Sequence, residues 1–323
     1  MPPDIHPLRP NAKHQSASIE SPHAGYAELH CLTNFTFLRG ASHPEELVER
    51  ASALGYAALA ITDECSMAGV VKAHIAAKRC QLKLIIGNEL TLEDGTKIIL
   101  LAKNRQGYGE LCHIITLARR RSKKGQYRVS LNDFKASTDH LIAIWIPQHR
   151  ELLETGSRPS VLKTLFGEQL WLGAVRALDG FDHVRTQGLQ AIASAQTLPI
   201  VACGDIQMHA SNRKPLLDTL CAIRHGHSVQ SAGRLLQGNA ERYLKTRAEL
   251  SELYPQQWLT NTRKIAATCT FSLDELRYEY PKELVPAHQT PASYLSSLTW
   301  SGANQRWPQG IPDTVAVQIK KEL

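Results

Sequence analysis

The sequence predicts an α/β fold, a distorted seven-stranded (β/α) barrel of the TIM-like type with a helical C-terminal extension. Three observations predict it. Seven short apolar runs recur along the chain, and most are followed by a helical segment. The runs are continuous rather than alternating, as in strands buried on both faces and usually paired in parallel. Several end in an imidazole or a carboxylate at the same relative position, the C-terminal end of the strand, where barrels of this kind carry their chemistry.

The first run, Tyr26 to Leu32, contains one polar residue out of pattern, His30. A loop with Thr33 and Asn34 leads to Gly40 and Ser42. Ser42 followed by Glu45 reads as a capping box with Pro44 in the first turn, and the helix Glu45 to Ala53 stops before Gly55. The second run, Ala57 to Asp63, ends in a carboxylate followed by Glu64, with a helix from about Met67 to Arg79. The third, Lys83 to Glu89, also ends in an acid. Glu93-Asp-Gly95 is a tight-turn signal, so the third run and the fourth, Thr96 to Lys103, are expected to form a hairpin.

A helix from Gly109 to Arg120 follows and runs into Arg119-Arg-Arg-Ser-Lys-Lys-Gly-Gln-Tyr-Arg128. Cations suit a helix C-terminus. Their continuation, with Arg119, Arg120, Arg121, Lys123 and Lys124, reads either as a solvated loop or as a contact to phosphate backbone. The fifth run is His140 to Pro147 and the sixth Leu170 to Arg176, with a helix from His183 to Gln196. The seventh is Leu198 to Asp205, with a helix from Lys214 to Ile223. Beyond Val229 the chain reads as mostly helical. The expected organisation is a disordered leader over 1–24, rich in proline, histidine and serine, then a barrel over 25–275 and a helical connector over 276–323.

His30, Asp63, Glu89 and Asp205 lie far apart in sequence but at equivalent strand ends. Each alone is an ordinary strand-end polar residue. Four metal-capable side chains in one relative position point to a present or ancestral metal site, with Glu64 as a further donor. The formal charge of +7 suggests an anionic partner, nucleic acid first. Seven scattered cysteines without a C-x-x-C pair argue against a zinc ribbon or a disulfide framework, and point to a reduced, cytoplasmic protein. No run of about 18 apolar residues exists and no signal-peptide block opens the chain, so no membrane partner is expected.

Several motifs carry a resemblance. Glu28-Leu-His30 through Gly40-Ala-Ser42, Ile61-Thr-Asp63, Ile86-Gly87-x-Glu89 and Val201 through Asp205-Ile-x-Met resemble the PHP (polymerase and histidinol phosphatase) domain. Thr62-Asp-Glu-Cys-Ser66, Asp218 through Arg224 and Leu273 through Pro281 are similar to the N-terminal region of bacterial C-family DNA polymerases of the error-prone type. The resemblance implies a barrel of seven β/α units. In metal-competent members it also implies two or three ions (zinc, manganese or magnesium) that activate water for phosphoester hydrolysis. It implies DNA, the rest of a polymerase chain, and a sliding clamp or other mutagenesis proteins as partners. Nucleotide addition would fall to palm carboxylates working with Mg²⁺ beyond Leu323, so no catalytic residue is expected here. Asp274 and Asp313 do not sit on paired strands.

The sequence departs from the family pattern. His-x-His becomes His30-Cys31-Leu32, Ser-Asp becomes Thr33-Asn34, Thr-Asp-His becomes Thr62-Asp63-Glu64, and Asp-x-His becomes Asp205-Ile206-Gln207. Leucine cannot ligate, and neutral amides are weak donors to zinc or manganese. The expectation is a degenerate site: a salt cluster that stabilises the barrel, or a single ion on His30, Glu89 and Asp205 helped by Asp63 or Glu64. The competing readings are an active metal-dependent phosphoesterase or 3′–5′ exonuclease, and a docking module of the replication or mutagenesis machinery.

Overall fold

The computed structural model describes residues 25–134, 138–148, 151–152, 157–277 and 285–323. The expected leader over 1–24 and the Tyr280-Pro281 step lie outside the described residues. The chain divides into two compact units between Leu276 and Arg277.

The first unit is built on seven strands: β1 (Ala27–Glu28), β2 (Ala58–Ile61), β3 (Lys83–Thr91), β4 (Lys97–Ala102), β5 (Leu141–Ile146), β6 (Leu170–Val175) and β7 (Ile200–Cys203). Each pairs with the next in chain order. All pairings are parallel except those of β4, which is antiparallel to β3 and to β5. The third and fourth runs thus form the expected hairpin, with Thr91 opposite Lys97 and Glu89 opposite Ile99. Reversing one strand puts its first residue, Lys97, at the rim where its neighbours end.

The circle closes just past β1 and β7, where Cys31 and Ile206 form a parallel bridge. Leu32 N donates to Ile206 O at 2.8 Å and Ile206 N donates to His30 O at 2.9 Å. The expected strand over Tyr26 to Leu32 shrinks to two residues for a definite reason. The buried Glu28 carboxylate, not a backbone carbonyl, accepts the N–H of His30 at 2.9 Å and of Gly204 at 3.0 Å. A side chain thereby replaces part of the ladder along the seam, and burial pushes the Glu28 carboxyl up from its ordinary pKa against those bonds.

Side chains that alternate inward fill the barrel. Ala27, Ala58 and Ala60 are small on one side, with Leu29 among them, and Ile85, Ile99, Leu101, Ile142 and Ile144 are large on the other. The longer helices of this unit, among the described residues, are α1 (Pro44–Ala53), α2 (Val70–Cys80), α3 (Arg105–Arg120), α4 (Arg158–Phe166), α5 (Asp182–Gln196), α6 (Lys214–Arg224), α7 (Arg247–Leu253) and α8 (Gln256–Thr268). In α1 the buried positions Leu47, Val48 and Ala51 keep helical spacing and join the outer core with Leu59 and Ile61 of β2.

Helix α8 covers the other end of the seam. Ala27 N donates to Thr262 Oγ1 at 3.2 Å, and Asn261 Nδ2 donates to Ile200 O at 2.7 Å. Ile265, Ala266 and Cys269 then join the interior cluster at the N-terminal ends of the strands.

The cap of α1 differs from expectation by one position. His43 is the N-cap, and Glu46, not Glu45, accepts its N–H at 2.8 Å. Ser42 is engaged elsewhere, its hydroxyl accepting His209 N at 2.9 Å and lying 2.8 Å from His209 Nδ1. Helix α3 starts at Arg105 because Asn104 Oδ1 accepts Gly107 N at 3.0 Å, a strong N-cap. The second unit contains α9 (Pro291–Arg306), capped by Thr290, and α10 (Asp313–Glu322).

Candidate functional site at the barrel rim

The carboxyl ends of β1, β3 and β7 bring three predicted residues together. His30 Nε2 lies 2.7 Å from Glu89 Oε2 and 3.6 Å from Asp205 Oδ1. One possible ligand atom from each of the three falls within 4.8 Å of the others, and all three side chains are buried. Asp205 reaches the group from a left-handed backbone, φ 48°, a conformation that aspartate adopts more readily than most non-glycine residues.

Three cations surround this cluster, none of them singled out by the sequence reasoning. Arg39 Nη1 donates to Glu89 Oε1 at 2.6 Å and also to Glu64 Oε2. Lys97 Nζ stands 3.4 Å from Glu89 Oε2. Arg242 Nη1 donates to Asp205 Oδ2. Setting the imidazole aside, Arg39, Lys97 and Arg242 balance Glu64, Glu89 and Asp205 one for one. Lys97 had a signal, since the hairpin implied by Glu93-Asp-Gly95 turns the start of the fourth run back to the rim. Arg39 and Arg242 lie on loops, where no periodicity marks a residue.

Burial by itself would raise the pKa of both carboxylates. At Glu89 it is outweighed by the Lys97 charge, the His30 hydrogen bond and the Arg39 charge, which hold the carboxyl well below the usual range. At Asp205 it is outweighed by Arg242, Lys97 and His30, against repulsion from Glu89.

The described residues therefore hold one His/Glu/Asp group with ligand atoms close enough for a divalent ion, but their bonding fits such an ion poorly. Both oxygens of Glu89 and Asp205 Oδ2 already face cations or the imidazole, while Asp205 Oδ1, 3.6 Å from His30 Nε2, is left without a hydrogen bond. A divalent ion would add two positive charges to a buried group that is already balanced, which is costly in a low-dielectric setting. The positions where the resemblance puts further ligands serve other ends. Leu32 is core, Asn34 Nδ2 meets His43 Nδ1 at 3.0 Å, and Gln207 Oε1 accepts from Gln237 Nε2 at 2.6 Å.

Two predicted residues stand outside the group. Asp63 accepts Thr33 N at 2.7 Å, Thr33 Oγ1 at 2.9 Å and Thr36 Oγ1 at 2.7 Å, so its carboxylate pins the loop after β1. Burial raises its pKa despite those bonds. Glu64 pairs with Arg39 and accepts Tyr127 OH at 2.8 Å.

The basic stretch also divides. Arg119 is half-buried and donates to Cys65 O at 3.1 and 3.0 Å and to Gln126 O at 3.3 Å, with its guanidinium 5.3 Å from the Tyr127 ring centre. Arg121 forms a two-pronged bridge to Asp133 at 3.0 and 2.9 Å. Arg120, Lys123 and Lys124 are exposed. Replacing Arg119 with alanine should therefore lower stability by about 1–3 kcal/mol by stranding carbonyls. The change Lys123→Ala, at a solvated position, should stay within about 0.5 kcal/mol. Urea unfolding of the two variants checks both.

Residues 28–160 match the family described as PHP domain. The chain is also similar to longer proteins described as error-prone DNA polymerases. The chain is 50% identical over 304 residues to the error-prone DNA polymerase of Methylococcus capsulatus, which covers 94% of this chain and 29% of that one. It is 50% identical over 316 residues to the error-prone DNA polymerase of Bordetella parapertussis, covering 93% and 30%. The homologue from Dechloromonas aromatica, at 48% over 303 residues, bears the same description. The chain thus spans about 29–30% of the length of these relatives. Among solved structures, an amidohydrolase from Chromobacterium violaceum is similar at a TM-score of 0.42 and 16% identity, over 57% of this chain and 88% of that one. Among the described residues no helix is long and apolar enough to cross a membrane.

Proposed function

We propose that the chain is the N-terminal PHP region of an error-prone, DNA-directed DNA polymerase of translesion synthesis, and that its rim is a structural ion-pair network in place of a hydrolytic metal centre. Similarity to the error-prone polymerases supports the first half. The second half rests on one observation: Arg39, Lys97 and Arg242 already compensate the carboxylates that would bind metal. Two-metal hydrolysis of a phosphodiester needs ions about 3.5–4 Å apart that clamp both the attacking and the leaving oxygen. Leu32, Asn34 and Gln207 remove the donors for such a pair. In this reading the region scaffolds the enzyme without proofreading. Primer-template DNA and the rest of the polymerase are its partners, and Mg²⁺-dependent nucleotide addition belongs to the palm.

The test incubates the purified chain with a 3′-labelled primer and Mn²⁺ or Zn²⁺. The expected result is no shortening of the primer. Shortening that disappears in His30→Ala or Asp205→Asn would overturn the reading. The compactness of the His30, Glu89 and Asp205 group favours one second reading, a single divalent ion with residual phosphoesterase or 3′–5′ exonuclease activity. Elemental analysis separates the two, since a stoichiometric transition metal in the purified chain supports only the second.

A further inference from the structure

Beside the ion-pair cluster the rim opens into a cleft of about 550 Å³. The loop between Thr33 and Gly40 forms one wall, the stretch after α3 a second, and Arg224 at the end of α6 a third. Two of its arginines are already engaged, Arg39 with Glu64 and Glu89, and Arg119 with backbone carbonyls. Tyr127 carries Arg119 against its ring. What remains open is an aromatic platform and a set of unpaired cations. Phe37 is 80% exposed and Phe35 36%. The side chains of Arg224, Lys123 and Lys124 make no ion pair or hydrogen bond among the described residues.

Phe37 is presented by a rigid loop. Asp63 fixes Thr33 and Thr36 ahead of it, and Leu38 behind it adopts φ 60°, an uncommon conformation for a non-glycine residue. Strained backbone held by its surroundings collects at binding sites. A phenylalanine this exposed on such a loop, in a cleft lined also by arginines, matches how single strands are held: a base stacks on a ring while basic side chains follow the phosphates. The cleft's engaged side chains offer few free donors or acceptors to read a base edge, which fits stacking that tolerates any sequence.

We propose that this cleft binds one unpaired base of a single-stranded nucleic acid, stacked on Phe37, with a flanking phosphate at Arg224 and the strand continuing over Lys123 and Lys124. This deepens the DNA reading above and rests on it.

Fluorescence anisotropy with the whole chain tests it, using labelled strands of about 12 nucleotides. One is oligo-dT and the other an abasic strand of equal charge. Wild type is expected to bind oligo-dT roughly tenfold more tightly than the abasic strand, a typical effect for one stacked base. Phe37→Ala is expected to remove that preference at unchanged melting temperature, Phe37→Trp to keep it, and Arg224→Gln to weaken both strands. Equal, salt-dependent binding of both strands by wild type, or full affinity for oligo-dT in Phe37→Ala, overturns the stacking site alone. Absence of binding to either strand overturns the DNA reading with it. Tighter binding of a poly-glutamate peptide than of oligo-dT assigns the cleft to an acidic protein partner and also overturns the proposal.

Discussion

Replacing Glu89 with alanine should lower the melting temperature more than any other single substitution at the rim. Glu89 is fully buried and faces His30, Arg39 and Lys97 together. The side chains of Arg39 and Lys97 are only 14% and 18% exposed, so without Glu89 Arg39 keeps only Glu64 and Lys97 is left with no ion pair and little water to screen it. Breaking a buried ion pair from one side costs about 3–5 kcal/mol, because the charge left behind is uncompensated. For a unit of this size each kcal/mol shifts melting by about 2–4 °C, so the expected fall is roughly 6–20 °C. Removing charges from both sides in Glu89→Leu with Lys97→Met should recover part of it, since the Lys97 charge is then no longer stranded, while His30 and Arg39 still lose their partner. Thermal unfolding with and without a chelator checks the account. The chelator should leave the wild-type midpoint unchanged. A chelator-induced drop of several degrees would mean that an ion holds the cluster, and the ion-pair explanation would fail.

The change Gly40→Ala should be nearly as damaging, through geometry instead of charge. The loop after β1 folds back so that Gly40 presses on Thr33. An added Cβ would lie 2.0 Å from Thr33 O and 2.9 Å from Asn34 N, and those are backbone atoms that no rotamer change can move aside. The same turn is held by the Gly40 N to Thr36 O bond at 3.1 Å and by Asn34 N donating to Ser42 O at 2.8 Å. Relieving the overlap requires the loop to open, which withdraws Arg39 from Glu89. Overpacking of this kind costs about 3 kcal/mol. In this variant the loss should not add to that of Arg39→Ala, because both remove the same ion pair. Urea unfolding of the single and double variants reads the coupling, and strictly additive losses would show that the loop keeps its shape without Gly40.

Much of the barrel was legible because burial on both faces leaves an unbroken apolar signature. Runs such as Leu141 to Ile146 and Lys97 to Ala102 read directly as strands, and the turn chemistry of Asp94 and Gly95 announced the reversed β4. The first run misled in length, because a side chain, Glu28, takes over bonding that a backbone ladder would otherwise supply. The acids and the histidine stood out as polar residues ending apolar runs. Their neutralising partners did not, since Arg39 and Arg242 reach the rim from loops whose path depends on tertiary packing. Asp63 looked equivalent to Glu89 in sequence, yet hydroxyls at Thr33 and Thr36 turn it towards its own loop. The basic stretch likewise read as uniform, and only the fold reveals that Arg119 and Arg121 serve the scaffold.

The sealing of the β1–β7 seam by α8 has a consequence for biosynthesis. Ala27 waits for a hydroxyl 235 positions further along, and the last segment to enter the interior includes Cys269. During translation the first strand therefore emerges long before the helix that covers its edge. A nascent chain that stops short of Gln256 offers two open strand edges to its neighbours, the geometry from which intermolecular β-pairing starts. Wide spacing between partners also slows closure once the chain is free. Truncations ahead of that helix should precipitate on expression, whereas those made after Leu276 should stay dispersed.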